Sequence, residues 1–429
     1  MLKKIPVLAA LCLLGFVRPE GPSPLVFDDE TRAYAVPTLT QSPEGNAVLS
    51  WTEKDPQGTV HFYFATSKDQ GQNFSEKREI FAAPGIGTSR LMRPKLLFKK
   101  DGTMVAVFSN RVEEAAAATA KTAAPAHEGE HAHAGHSTEK PAAAAAPVPP
   151  SRPRDSQIVY ASSTDEGRTW TAPQPVHADR TPMVRGFFDA IVLANGEVAV
   201  TYLRDLEGQP HSRDLRMVVS KGNTFGPEKV LEPFVCDCCN ISLLVDAAGA
   251  LHVYYRENKD NTRDIDHLTS TDNGATFSKP ELLYADQWKL NGCPHSGPTS
   301  SQFGKSNLIA WYSGTTVNSP GIRVVTQEGK RLFVLDDPSA KNAWLLPAPK
   351  STSVLLWEQN SGKSPETPVT AIAYRSIAPN TVSETRWIQD SDNATNATGL
   401  VVGDRVLVAY EVKRPSKLNA IKLSTVRLF

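Results

Sequence analysis

The sequence predicts an all-β fold, a β-propeller of four-stranded antiparallel blades, and three observations point there. A unit of about fifty residues recurs along the chain, which is the spacing of one propeller blade. Each unit sets two apolar runs rich in Val, Leu and Tyr on either side of a tight turn, the pattern of a hairpin. A second turn of the form Ser-x-Asp-x-Gly-x-Thr-aromatic then follows the third run of several units. The 27 glycines and 32 prolines supply the turn formers that such a fold consumes.

Taken in order, the first two strands of the unit can be read seven times, opening at Val36, Arg93, Phe187, Cys238, Ser296, Asn342 and Thr398. Asp101-Gly102 and Asn195-Gly196 fill hairpin turns, since both residue types tolerate positive φ. Seven blades is the expected number, with six as the alternative. The last unit has room for only three strands before Phe429. Residues 24–28 are therefore expected to supply its fourth and close the ring.

The second signature is complete at Ser163-Thr-Asp-Glu-Gly-Arg-Thr-Trp170 and at Ser270-Thr-Asp-Asn-Gly-Ala-Thr-Phe277. It is close at residues 67–74 and shortened at residues 220–225. Such an Asp accepts backbone N–H groups inside its turn, the Gly permits positive φ, and the aromatic buries itself between strands. On these residues the sequence resembles the sialidase-like, Asp-box (BNR repeat) β-propeller superfamily from about Val36 to Phe429, and within it the exported bacterial members.

Charged residues make up 21% of the chain and balance to zero, which argues against nucleic acid or a membrane surface as partner. The chain opens with Lys3 and Lys4 before an apolar run at residues 5–17, too short to span a bilayer. Residues 1–23 thus read as an export signal, with the propeller over 24–429 in a periplasmic or secreted, disulfide-permissive setting. Cys12 follows Leu11 rather than a small residue, which argues against lipidation. No later apolar run is long enough for a transmembrane helix. One segment breaks the repeat: residues 113–153 are rich in Ala and Pro, carry His127, His131, His133 and His136, and lack apolar periodicity. It reads as a disordered insertion in the second blade, its histidines either incidental to a solvated linker or loose ligands for copper, nickel or zinc.

Propeller topology sorts the remaining polar residues by rim. The start of an inner strand and the end of the second strand share one rim, and the Asp-box turns lie at the other. The first rim collects Arg93, Asp189, Cys238, Cys239, Cys293 and His295 from inner-strand starts. Second-strand ends add Glu53, Arg111, Arg204, Asp205, Arg256, Glu257, Tyr312, Glu358 and Glu411.

Cys236, Cys238 and Cys239 fall within four residues, and Cys293 stands in a second short run with His295. Exposed thiols oxidise, so such a cluster is bridged, metal-bound or chemically used. Four cysteines in an exported chain are enough for two disulfides, with Cys236 or Cys238 in reach of Cys293. The other reading is a soft-metal site for copper or zinc with His295 as a further ligand. No cofactor is compelled by either.

The family resemblance implies a different use of the same rim. Sialidases clamp a substrate carboxylate with three arginines and use a Tyr nucleophile, a Glu partner and an Asp acid. Arg93, within Met-Arg-Pro-Lys, matches the family's Arg-Ile-Pro motif in part, and Arg204 and Arg256 would complete the clamp. Tyr312 with Glu358, and Asp189 as acid, are the corresponding catalytic candidates. No Asp follows Arg93 at the family's short distance. The alternative for these charges is structural, as salt bridges between blades, above all for the repeated pairs Arg154-Asp155, Arg213-Asp214 and Arg263-Asp264. A glycan or other acidic small molecule is the ligand this resemblance implies, with hydrolysis or recognition alone both open. Oligomeric state is not legible.

Overall fold

The structure is a computed structural model and describes residues 27–111, 155–363 and 366–428. The expected export signal at 1–23 and the insertion at 113–153, with His127, His131, His133 and His136, lie outside the described residues.

The strands form seven antiparallel sheets, each built from strands consecutive in the chain. Their inner strands are Ala33–Gln41, Lys95–Phe98, Arg185–Val192, Ser242–Val245, Thr299–Phe303, Lys341–Ala348 and Ala394–Val402, which define blades 1 to 7. Inner strands of blades 2 to 7 lie side by side in succession, that of blade 7 returns to that of blade 1, and an apolar seam joins blades 1 and 2, so the sheets close into a ring. The second strands are buried along nearly their whole length: in Ala47–Lys54 every residue but the last is buried. A blade is covered on both faces by its neighbours, so its strands need apolar residues at both alternations. Among the described residues seven apolar clusters fill the blade-to-blade seams. The seam of blades 7 and 1, for example, joins Leu39, Leu49 and Trp51 to Leu407, Ala409 and Ile421.

Blade 7 has three strands, and Phe27 and Asp28 lie in none of them. The expected fourth strand from residues 24–28 is thus not formed by the part of that segment described. Phe27 instead packs edge-on against Tyr34 and Trp51, with ring centroids 5.3 and 5.2 Å away. Ring closure rests on side chains. The Val36 amide of blade 1 donates to Glu411 Oε1 of blade 7 at 2.8 Å, Thr398 Oγ1 donates to the Pro37 carbonyl at 3.0 Å, and Arg414 Nη1 donates to the Asp29 carbonyl at 2.9 Å.

Four inner strands carry a β-bulge near their start, with Val36, Phe187, Asn342 and Asn396 at φ between 48 and 57°. A bulge leaves backbone groups out of the ladder, and buried carboxylates take up two of them. Glu411 receives the Val36 amide, and Glu358 Oε1 receives the Asn396 amide of the next blade at 2.7 Å.

The Asp-box turns follow the sequence reading. Asp69, Asp165 and Asp272 each accept the backbone N–H four residues on, at 2.8, 2.9 and 2.8 Å. The Thr169 and Thr276 hydroxyls, then these amides, hold the Asp165 and Asp272 carboxyls below the usual range, and the Asn73 amide does so first for Asp69. Their glycines do a second job. A Cβ on Gly167 (φ +77°) would stand 2.4 Å from Phe64 of the preceding blade, and one on Gly274 2.7 Å from Met217. The turn is a packing surface between blades as well as a bend.

Candidate functional site

The inner strands of blades 2 to 6 enclose a cavity of about 220 Å³ at the centre of the ring. Arg90 and Lys95 reach it from blade 2, Asn240 and Ser242 from blade 4, Ser300 from blade 5 and Trp344 from blade 6. Lys95 Nζ pairs with Asp189 Oδ1 at 2.7 Å, and Asp189 Oδ2 accepts the Leu243 amide at 2.9 Å, tying blades 2, 3 and 4 together. The Ser242 and Ser300 hydroxyls meet at 2.7 Å. Arg93 and Lys95 lie over the Trp344 ring at 5.3 and 5.9 Å. Arg90, half-buried at the wall, donates through Nη2 to the His295 carbonyl at 2.8 Å.

The sequence pointed to Arg93 and Asp189 here but missed Arg90, Lys95, Asn240, Ser242, Ser300 and Trp344. A signal existed for some of them. Successive side chains of a strand alternate between faces, so Arg93 implies Lys95 on the same face. For blade 6 the bulge at Asn342 offsets the register, and Trp344 is not reached by counting from the strand's start.

The arginines expected to clamp a ligand do not share this cavity. Arg93 lines it, but its guanidinium is buried and donates to the Pro37 and Asn396 carbonyls; burial lowers its pKa to about 10. Arg204 pairs with Asp179 at 3.3 Å and Asp214 at 3.6 Å. Arg256 donates to three backbone carbonyls, those of Ser296 and Tyr312 at 2.8 Å each and that of Arg263. Glu358 has both oxygens engaged, by the Asn396 amide and by Asn342 Nδ2 at 2.8 Å, and its burial raises its pKa. Burial also raises the Tyr312 hydroxyl, and the Tyr312 ring meets Trp288 edge-on at 5.7 Å.

The pairs Arg213-Asp214 and Arg263-Asp264 are structural, but they act within blades, not between them. Arg213 Nε binds Asp205 Oδ1 at 2.6 Å across one hairpin, Arg216 binds Asp214 at 2.9 Å, and Asp264 accepts the Gln287 and Trp288 amides. The reason is the antiparallel register, which sets Arg213 directly opposite Asp205. Arg154 lies outside the described residues.

The cysteines sit beside the cavity on the same rim. Residues 236–241 cross from the outer strand of blade 3 to the inner strand of blade 4, and residues 293–298 cross from blade 4 to blade 5. Cys236, Cys238 and Cys239 are buried, while Cys293 and His295 are exposed. Cys236 Sγ lies 3.5 Å from Cys239 Sγ and 3.8 Å from Cys238 Sγ. The ligand atoms of Cys238, Cys293 and His295 also lie within 4.8 Å of one another, so Cys238 belongs to two groups. The close sulfurs perturb each other: contacts with Cys238 and Cys239 hold the Cys236 thiol well below its usual range. The contact with Cys236 pushes Cys238 up, and burial raises Cys239. Cys293 Sγ reaches the Asp237 carboxylate at 3.7 and 3.9 Å. Asp237 was not singled out by the sequence.

The sequence pattern of the BNR repeat-like domain matches residues 148–364, just over half of the chain. The chain belongs to the BNR repeat-like family. This BNR repeat-like protein matches no curated protein. Among solved structures it is similar to a protein of unknown function from Dyadobacter fermentans, with 16% identity over 83% of this chain and 97% of that one and a TM-score of 0.49. A mutant of the NanB sialidase from Streptococcus pneumoniae shares 12% identity over 85% of this chain and 71% of that one, at a TM-score of 0.49. An ulvan lyase of a polysaccharide lyase family shares 11% identity over 80% and 85%, at a TM-score of 0.44. Among the described residues no helix is long and apolar enough to cross a membrane.

Proposed function

We propose that the central cavity recognises an anionic carbohydrate outside the cytoplasm. The observation that carries this reading is the composition of the cavity wall: Arg90 and Lys95 beside the Trp344 indole, with Asn240, Ser242 and Ser300 as hydrogen-bonding partners. A sugar offers an apolar C–H face to an aromatic ring and hydroxyls to amides and serines, and a carboxylate on it suits a guanidinium. An acidic sugar is also what the family resemblance implies, and the basic, then apolar start of the chain supports export. Recognition fits better than sialidase-type hydrolysis. Both oxygens of Glu358 are engaged, and a hydroxyl raised by burial, as at Tyr312, is a poor nucleophile.

The test is an array of sialosides, uronates and sulfated glycans probed with the full chain, followed by calorimetry on any hit. Binding that weakens at least about fivefold in Trp344→Ala, with no sugar released, is expected, since a stacked ring contributes about 1 kcal/mol or more. Absence of binding to every acidic glycan overturns the proposal. Release of sugar with loss in Glu358→Gln would restore the hydrolytic reading.

A further inference from the structure

We propose that Cys236, Cys238 and Cys239 form a thiolate site for a soft monovalent metal ion, copper(I), with Cys293 and His295 as its outer approach. The inference goes beyond carbohydrate recognition and does not depend on it. It begins with distance. A disulfide holds its sulfurs at about 2.05 Å. Thiolates around one tetrahedral ion at about 2.3 Å stand about 3.8 Å apart, and about 4.0 Å apart around a trigonal one. The separations of 3.5 and 3.8 Å, with all three sulfurs within 4.8 Å of one another, lie within about 0.5 Å of such edges and far from a bond.

The donor set then selects the metal. Sulfur alone, in a buried pocket, suits a thiophilic ion and excludes calcium and magnesium, which need oxygen ligands. Structural zinc takes four ligands in a closed tetrahedron. Here the buried group offers three sulfurs, and the next candidates, Cys293 and His295, form a separate group through Cys238. A three-coordinate soft site is therefore favoured, with the Cys238 thiolate free to bridge a second ion held by Cys293 and His295. The exposed pair would take an ion from solvent, and Cys238 would pass it inward.

The surroundings offset the negative charge that ligation concentrates. Each thiol that binds releases its proton. The Arg256 guanidinium acts on Cys236 and Cys239 through space, and Arg90 acts on Cys239. Arg256 is fixed in place by its three carbonyl partners, so this positive charge is built into the rim. A glycan site has no need of three buried thiols, whereas a copper site has need of all of them.

The full chain, reduced and kept free of oxygen, is to be titrated with copper(I) against bicinchoninate as a coloured competitor. Retention of at least one equivalent, with sulfur-to-copper charge-transfer absorption in the ultraviolet, is expected. A Cys236→Ser/Cys239→Ser double variant should lose it. Because those thiols are buried, thermal melting must show that this variant still folds. The exposed Cys293→Ser change avoids the difficulty: it should keep the first equivalent and slow its uptake or remove a second. Glycan binding is measured on the same samples, so that failure of one reading is separable from failure of the other. The proposal is overturned if bicinchoninate retains all the copper, if the double variant folds and binds copper as before, or if zinc(II) displaces copper(I) at equal concentration.

Discussion

Replacing Glu411 by Ala removes the acceptor that joins the two ends of the ring. Glu411 is 3% exposed, and its carboxylate receives the Val36 amide at 2.8 Å, Asn396 Nδ2 at 2.9 Å and Asn419 Nδ2 at 2.7 Å. An unsatisfied buried donor costs about 1–3 kcal/mol. The Val36 amide has no substitute acceptor, whereas the two Asn side chains can turn toward water. Removing a charge from a buried position returns part of the loss, but deleting the buried side chain also leaves a cavity, and together these leave about 2–4 kcal/mol of destabilisation. Unfolding about 360 ordered residues at about 2.1 cal/mol/K each gives an entropy near 0.75 kcal/mol/K, so the melting temperature should fall by about 3–5 °C. Val36 is β-branched at φ +48°, a conformation that persists only while its surroundings impose it. Amide exchange in Ala33–Gln41 should therefore quicken more than in any other inner strand. Calorimetry and hydrogen exchange on the variant make the test. A melting temperature within about 1 °C of the parent, or exchange raised equally in all blades, would refute the idea that this carboxylate closes the ring.

Two further perturbations act elsewhere. Asp286 and Arg323 are each buried, with Arg323 Nε 2.8 Å from Oδ1 and Trp311 Nε1 2.7 Å from Oδ2, so Asp286→Ala strands a buried guanidinium. A loss of about 3–5 kcal/mol is expected, read as a lower urea midpoint with unchanged slope, and a shift smaller than about 1 kcal/mol contradicts it. His267 is buried against His252, 3.3 Å away, and burial lowers its pKa from 6.5 to about 4. The unfolded chain protonates first, so this histidine's contribution is intact above pH 6.5 and is lost as pH falls from 6.5 toward 4. Asp266, raised to about 6 by burial, acts in the opposite sense over an overlapping range. The difference between parent and His267→Gln therefore isolates the histidine. The parent should lose about 1.4 kcal/mol more per pH unit across that window, and parallel pH profiles would count against the assignment.

The repeat, the hairpin turns and the Asp boxes were legible because each is a local signal. A Gly at positive φ or an Asp four residues before a Thr carries its reason within a few residues of itself. The cavity was only half legible, and the cause is specific. Arg93, Arg256 and Glu358 have the residue types of a sugar site, yet here they serve backbone groups left open by bulges and rim loops. Residue type announces a charge but not its partner, and the partners of Glu358 and Arg93 include Asn396, which is respectively 38 and 303 residues distant. The cysteines illustrate the reverse. Their spacing matched no common zinc pattern, but the fold brings Cys293 and His295 beside Cys238 across blade 4.

That placement has a mechanical consequence. The two crossings that carry the thiols are the only covalent way into and out of blade 4, so a ligand held between Cys238 and Cys293 would lock that blade's two ends together. The loop so closed spans about 55 residues, and tying it removes about 4 kcal/mol of chain entropy from the unfolded ensemble if the link survives unfolding. Blade 4 would then behave as a clasped link in a bracelet, the last segment to open under tension when the clasp is filled and an ordinary one when it is empty.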